Sequence, residues 1–503
     1  MTTWEGLLFG LGFALQPEVL VYCLLGVVLG TFVGVLPGIG AMAAISLLLP
    51  ITFYITPEAA LIMLAGVYYG AQYGGAVASI LLRLPGTPQS AVTTLDGYPM
   101  ARQGRAGVAL FTAMASSFAG SVFGIVVLVL LAGWLSRAAT AFGAADYAAM
   151  MFLGLVAAST IGASRPAKGF AMVTLGLLLG CVGTDVNSGV QRFTFGQTEL
   201  LDGINLVALA MGLFGVAEVI SNVRDPDRQG VAERLGLRSL MPRREDLRRM
   251  GWPILRGSAM GSFFGALPGT GSTLSSFLSY SMERRVARQP ERFGNGAIEG
   301  VAGPESANNS AAITAFAPTL TLGIPGDPIM ALMLGALVIH GVQPGPMMLE
   351  ARPEMFWGLV ASFGIGNLLL LILNLPLIGI WVAMLRIPFH LMYPAILVFL
   401  CLGVYSVRGL SFDIVAVAMI GLAGYLLTLA RFSPALLLLG FVLGPLIETN
   451  LRRAFLISRG DPMVFFERPI AAGFVLASIA LLLLSLWQAW RRRAGAGDEV
   501  SSG

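Results

Sequence analysis

Lysine is almost missing from this chain of 503 residues: Lys168 is the only one among 31 basic residues, and the rest are arginine. Histidine occurs twice, as His340 and His390, which leaves too few imidazoles for a His-rich metal centre or a Ser-His-Asp triad. The three cysteines, Cys23, Cys181 and Cys401, lie in apolar stretches without CxxC spacing, which excludes a disulfide scaffold and reads as small buried hydrophobes. Charge is scarce too. Only 12% of residues are Asp, Glu, Lys or Arg, half of the roughly 25% that covers a soluble globular surface. A soluble enzyme and a disordered chain are both excluded. The arginines that give the net charge of +4 are spread over short loops, so they form no stripe that could track a nucleic-acid backbone. Met1–Gly6 carries Glu5 and no basic residue, so no signal peptide is expected.

Hydrophobic residues make up 56% of the chain, and 63 glycines and 27 prolines interrupt them repeatedly. A crossing helix needs about 20 apolar residues. The apolar stretches therefore predict an all-α polytopic membrane protein of roughly twelve crossings, with discontinuous, re-entrant half-helices between them. Residues 222–256 hold nine arginines against five acids, and Arg491, Arg492 and Arg493 mark the tail. Arginine excess marks cytoplasmic segments, so the central loop and the C-terminus are expected in the cytoplasm. Residues 1–19, with Glu5, Glu18 and no base, point to an external N-terminus. The predicted organisation is a first membrane half (1–221), an arginine-rich linker (222–256), a second half (257–468), a last transmembrane helix (469–490) and a tail (491–503).

The halves share motifs. Gly34-Val35-Leu36-Pro37-Gly38-Ile39-Gly40 recurs 231 residues later as Gly265-Ala266-Leu267-Pro268-Gly269-Thr270-Gly271, and Leu84-Pro85-Gly86-Thr87-Pro88 recurs 240 residues later as Ile324-Pro325-Gly326-Asp327-Pro328. Two matched motifs in the same order at a near-constant offset indicate an internal repeat. The first Pro-Gly module follows an acidic, base-free end and precedes Arg102 and Arg105. The second follows the basic loop and precedes Glu350 and Glu354 with only Arg352. Opposite flanking charge predicts inverted-topology repeats, the build of many secondary transporters.

Proline removes an amide donor and glycine adopts conformations closed to other residues. A Pro-Gly-x-Gly within a membrane segment therefore ends a helix and frees backbone groups, which survive only against protein, water or ligand. Exposed helix N-termini favour anions, and freed carbonyls favour cations. The candidate substrate-binding residues are Pro37, Gly38, Gly40, Pro85, Gly86, Thr87, Gly269, Gly271, Ser272, Thr273, Pro325 and Gly326. Asn308, Asn309 and Ser310 join them as polar groups at the start of an apolar stretch, where Ser306 or Asn308 could equally be an N-cap. Candidate Na⁺ ligands are Gly38, Gly269, Asn308, Asn309 and Asp327. Ser275 and Ser276 either line the same cavity or bond back to their own helix. Arg83, beside the first break, either meets a substrate carboxylate or snorkels to an interface. Glu299 and Glu305 flank a Gly-rich run and read as loop residues.

Taken with Tyr68-Tyr69-Gly70-Ala71-Gln72-Tyr73-Gly74-Gly75, Leu95-Asp96-Gly97-Tyr98-Pro99 and Pro304-Glu305-Ser306-Ala307-Asn308-Asn309, these motifs resemble the large membrane subunit of tripartite tricarboxylate transporters, the TctA type, over about Leu20 to Pro462. The resemblance implies a bacterial inner-membrane permease that takes up carboxylates such as citrate on an ion gradient, usually sodium, with Na⁺ or H⁺ as coupling ion and no bound cofactor. It also implies two partners, a periplasmic solute-binding protein and a small four-helix membrane subunit, and a homodimer is compatible with it. No Walker motif is present, in keeping with a secondary transporter. Asp327 and Arg83 depart from the family pattern, at positions where a small and an uncharged residue are usual. The expectation is thus an ion-coupled carboxylate importer of elevator type. Its rivals are a membrane-embedded lipid-modifying enzyme, which would need a clustered acid, base or nucleophile at membrane depth, and a stand-alone channel.

Overall fold

The computed structural model describes all residues except 1–2, 37–39, 140, 162–164, 186–187, 223–236, 268–270, 343, 346–347, 386–388 and 501–503. The described residues are overwhelmingly helical, with one short antiparallel pairing, Gly183–Thr184 against Gln191–Arg192. Among the described residues, five helices are long and apolar enough to cross a membrane: Pro17–Val35, Thr93–Leu131, Pro353–Asn374, Ser411–Leu429 and Pro434–Ile457. Seven shorter apolar helices accompany them, among them Gly40–Thr52 and Pro328–Ile339. This is an all-α polytopic membrane protein. Many of the prolines that punctuate the sequence open helices instead of breaking them. Pro17, Pro57, Pro166, Pro328, Pro353 and Pro434 all sit in the first turn, where the missing N–H would have had no partner and the fixed φ suits the helix.

The chain packs as two compact units. The first comprises residues 1–139 and 205–426, the second residues 140–204 and 427–503. Both predicted halves therefore contribute to each unit. Within that segment, 223–236 lie outside the described residues, whereas Arg244–Gly265 is a helix whose first turn is held by Asp246 Oδ2 accepting from Arg243 N at 3.0 Å.

The first unit is organised by two seams of small residues. A Cβ at Gly26, Gly30 or Gly34 would run into the carbonyl oxygen of Met63, Val67 or Ala71 on the Pro57–Leu82 helix. A Cβ at Gly257, Gly261 or Gly265 would run into the carbonyl oxygen of Gly303, Ala307 or Ala311 on the Glu299–Thr314 helix. Membrane helices gain little from apolar burial against one another, so small residues that admit close backbone approach carry the packing. The two seams coincide residue for residue at the offsets of 231 and 240 seen in the sequence.

The second unit contains the Ala144–Ile161, Pro166–Gly180, Pro434–Ile457 and Pro469–Val500 helices. One of its ends is laced by ion pairs: Arg468 to Asp146 at 2.6 Å, and Arg452 to both Asp185 (2.8 Å) and Glu448 (2.6 Å), with Arg192 on Glu448 at 2.8 Å. Asp146 is fully buried, so removing its partner would strand a buried charge. Arg468→Met is expected to destabilise the unit by about 3 kcal/mol, measured as a fall in the thermal midpoint of the purified protein. Arg249→Met, which breaks a solvent-facing i,i+4 pair with Glu245, should change it by less than about 1 kcal/mol.

Candidate functional site

The Pro-Gly breaks of the first unit are built alike. Arg83, at φ 59°, ends the Pro57–Leu82 helix in the left-handed region, and Gly323, at φ 70°, ends Phe316–Leu322 the same way. Holding a non-glycine residue there costs roughly 1–2 kcal/mol, and the Arg83 guanidinium lies 5.7 Å from the centre of the Tyr98 ring. Pro-Gly follows each stop. An extended residue then starts the next helical segment, Thr87 before Pro88 and Asp327 before Pro328. Ser90 Oγ donates to Thr87 O at 2.8 Å, closing the first tip, and Asp327 Oδ1 accepts from Met330 N at 2.8 Å, closing the second. Gly86 packs on Gly34 O, and a Cβ at Gly326 would lie 3.1 Å from Gly265 O, so each tip leans on the glycine seam of its own half.

Pro37, Gly38 and Gly269 lie outside the described residues. The glycines that close those motifs are described: Gly40 at φ 65° and Gly271 at φ 61° both open helices in a conformation that favours glycine. The two halves interleave here. Pro88–Ala91, after the first tip, packs on the helix Gly271–Val286, and Pro328–Ile339, after the second tip, packs on Gly40–Thr52.

Around Gly271 the structure brings several polar groups together. A Cβ at Gly271 would lie 3.1 Å from Asp327 Cβ. Tyr68 Oη donates to Asp327 Oδ2 at 2.6 Å, and the Ser272 hydroxyl and Gln72 side chain lie against the same phenol. Tyr68, Gln72 and Ser272 are all buried, and neither polar atom of the Gln72 amide has a hydrogen-bond partner. Tyr68 and Gln72 were legible as polar residues in an apolar stretch, but nothing in the sequence placed them beside Asp327. Ser275 and Ser276 donate to Gly271 O and Ser272 O, both at 3.0 Å, so their hydroxyls serve their own helix. Ser310 belongs to the packing seam: its Oγ donates to Ser258 O at 2.9 Å and meets Ser262 Oγ at 2.6 Å.

A second polar cluster corrects two expectations. Glu305 is not in a loop, and neither Ser306 nor Asn308 is an N-cap. All three lie well inside the Glu299–Thr314 helix, whose N-cap is Ile298 and which is buried from Gly300 to Thr314. Glu305 Oε1 accepts from Thr93 Oγ1, and Oε2 accepts from Ser117 Oγ at 3.2 Å. Asn309 Nδ2 donates to Ser117 Oγ at 2.8 Å and to Glu305 O at 3.0 Å.

A family described as "Tripartite tricarboxylate transporter TctA family" matches residues 20–439. The chain belongs to this family. It is 52% identical over 479 residues, 95% of either chain, to an "Uncharacterized 52.8 kDa protein in TAR-I ttuC' 3'region" of Agrobacterium vitis. It is 54% identical over 226 residues to an "Uncharacterized protein in TAR-II ttuC' 3'region" of the same organism, covering 45% of this chain and 93% of that one. No solved structure matches it. The TctA-family chain is thus the large-subunit type of a tripartite transport system.

Proposed function

We propose that the chain is the permease subunit of a tripartite, ion-coupled secondary importer of carboxylates, citrate-like tricarboxylates or related organic acids. It would take substrate from a periplasmic solute-binding protein and work beside a small four-helix membrane subunit in a bacterial inner membrane. The observation that carries this reading is the meeting of the Gly271 helix start with Tyr68, Gln72, Ser272 and Asp327 inside the first unit. The first four N–H groups of a helix lack intrahelical partners and carry positive partial charge, so they suit an oxyanion. Gln72 adds an amide with both polar atoms free, and a buried amide of that kind requires a partner. Gly40 offers a second helix start with open space beside it.

Asp327 supplies a reason for coupling. When Asp327 is ionised, a substrate carboxylate about 4 Å from it is repelled by roughly 4 kcal/mol at an effective dielectric constant near 20, so a cation bound in the same interior would favour binding of the anion. The paired glycine seams and paired tips support two inverted repeats. Alternating access would then come from one part of this unit moving against another. In the second unit, residues 162–168 and 427–433 carry Arg165, Lys168 and Arg431 and no acid, which supports a cytoplasmic position for that end.

Uptake of labelled citrate and labelled dicarboxylates into proteoliposomes holding all three components tests the reading. Tyr68→Phe leaves the buried Asp327 Oδ2 without its donor and is expected to lower uptake by about tenfold or more, with the protein still monodisperse. Folded protein that takes up none of these anions under a sodium or a proton gradient would rule the importer out.

A further inference from the structure

Glu305 is a carboxylate in the interior of the first unit with only neutral partners. It is 1% exposed, its two hydrogen bonds come from the Thr93 and Ser117 hydroxyls, and no arginine, lysine or histidine among the described residues pairs with it. Burying a lone negative charge is expensive, and two hydroxyl donors offset only part of that expense.

The neighbouring oxygens point the same way. Asn309 Nδ2 is fixed by the Glu305 carbonyl, which can only accept, so the amide cannot be turned round and its Oδ1 necessarily faces away from that carbonyl. That Oδ1 has no partner although Asn309 is fully buried. The Asn308 amide, 1% exposed, lies against the Glu305 carboxyl without completing a hydrogen bond of ordinary geometry, and both its polar atoms are unpartnered. The cluster therefore holds one negative charge and two unserved amide oxygens. Two hydroxyl oxygens complete the set. Ser117 Oγ already accepts from Asn309 Nδ2, so its proton is turned toward the carboxylate.

A proton on Glu305 would cancel the charge but supplies a single donor, so at least one of the two amide oxygens would stay unserved. A divalent ion would leave a net positive charge in the same apolar surroundings. Among the described residues no group of three or more His, Cys, Asp or Glu comes together, so ligand sets for a transition metal are absent there. A small monovalent cation with hard oxygen ligands answers both needs.

We propose that Glu305, Asn308 and Asn309, completed by the Thr93 and Ser117 hydroxyls, form a sodium site that supplies the coupling ion. The site rests on the import reading only for its purpose, since binding of the cation can be measured without transport. It differs from the expected set in its anchor. Glu305 provides the charge, whereas Asp327 is engaged in capping its own helix and in accepting from Tyr68.

The test is direct ²²Na⁺ binding to the purified full-length protein, together with its thermal midpoint in NaCl against choline chloride at equal ionic strength. The wild type is expected to bind one Na⁺ and to melt higher in NaCl. Glu305→Gln should weaken binding by roughly tenfold or more, as for the loss of a supporting group at a metal site, and should abolish the NaCl-dependent shift. Ser117→Ala keeps the fold's charge balance and should weaken binding several-fold, which covers the case in which the glutamine variant fails to fold. Sodium binding that persists unchanged in folded Glu305→Gln overturns the proposal. So does a wild type that melts alike in both salts, or uptake driven only by a pH gradient. If ²²Na⁺ binds and depends on Glu305 while no carboxylate is transported, the sodium site stands and the import reading falls.

Discussion

Asp96→Ala is expected to cost roughly 3 kcal/mol or more of stability, with Asp96→Asn close to wild type. Asp96 lies in Thr93–Met100, the opening segment of the Thr93–Leu131 span, is fully buried, and reaches into the loop before the Glu299–Thr314 helix. Its Oδ1 accepts from Gly294 N at 2.9 Å, Gly296 N at 2.8 Å and Ala297 N at 2.8 Å, and its Oδ2 accepts from Tyr280 Oη at 3.0 Å. One carboxylate thus pins together segments about two hundred residues apart in sequence, and it sets a negative charge beside the start of the helix that carries Glu305, Asn308 and Asn309. Alanine leaves those N–H groups unpartnered, at about 1–3 kcal/mol for each that stays dry. Asparagine keeps an acceptor for the three amides, and the Tyr280 hydroxyl can rotate to accept from the new NH₂. The thermal midpoints of the two variants decide it. Equal midpoints would mean that the loop is held by other contacts.

The sequence motif around Asp96 was recognisable, but its role was not, because all four partners come from the other half of the chain. Glu305 was misread for a different reason. Its surroundings, Glu299-Gly300-Val301-Ala302-Gly303-Pro304, have the composition of a loop. In this protein that composition belongs to a buried helix: a Cβ at Gly257 would run into Gly303 O, and one at Gly303 would run into the Glu283 and Ser279 side chains. Gly and Pro signal a turn only where water can take up the backbone groups. In a small-residue seam they signal close approach.

What the sequence did carry is what repeats. The Pro-Gly motifs, their offsets and the glycine trios follow from residue identity alone, and the structure places Gly40 with Gly271, Arg83 with Gly323 and Thr87 with Asp327 in matching backbone positions. The division into two units was not legible. It depends on the segment 140–204 packing with 427–503, a pairing that no motif marks. The departures from repeat symmetry are the informative positions. Tyr68 stands where the second half has Asn308, and Thr87 where it has Asp327. The site therefore has a phenol and a carboxylate bonded across the halves in one place, and a free amide beside Glu305 in the other.

The glycine seams set the second large effect. Gly30→Leu and Gly261→Leu are each expected to abolish recovery of folded protein, whereas Gly12→Leu, with nothing within 4 Å of its Cβ position, should leave the yield near wild type. At Gly30 the new Cβ meets Val67 O, and at Gly261 it meets Ala307 O. Both obstacles are backbone, so no rotamer change relieves them and the helices must separate along their length. Overpacking a core costs about 1–3 kcal/mol where side chains can shift, and more where two main chains have to move. The two sites need not fail alike. Separating Pro17–Val35 from Pro57–Leu82 draws Tyr68 away from Asp327. Separating Arg244–Gly265 from Glu299–Thr314 disturbs the helix that holds Glu305 and both asparagines. Gly30→Ala and Gly261→Ala carry the same Cβ clash without the bulk beyond it, and where folded protein is recovered they separate these outcomes. The first should impair carboxylate uptake with sodium binding retained, and the second should weaken ²²Na⁺ binding itself. Equal loss of both activities in both variants would mean that the seams act only on global stability and do not position the two clusters separately.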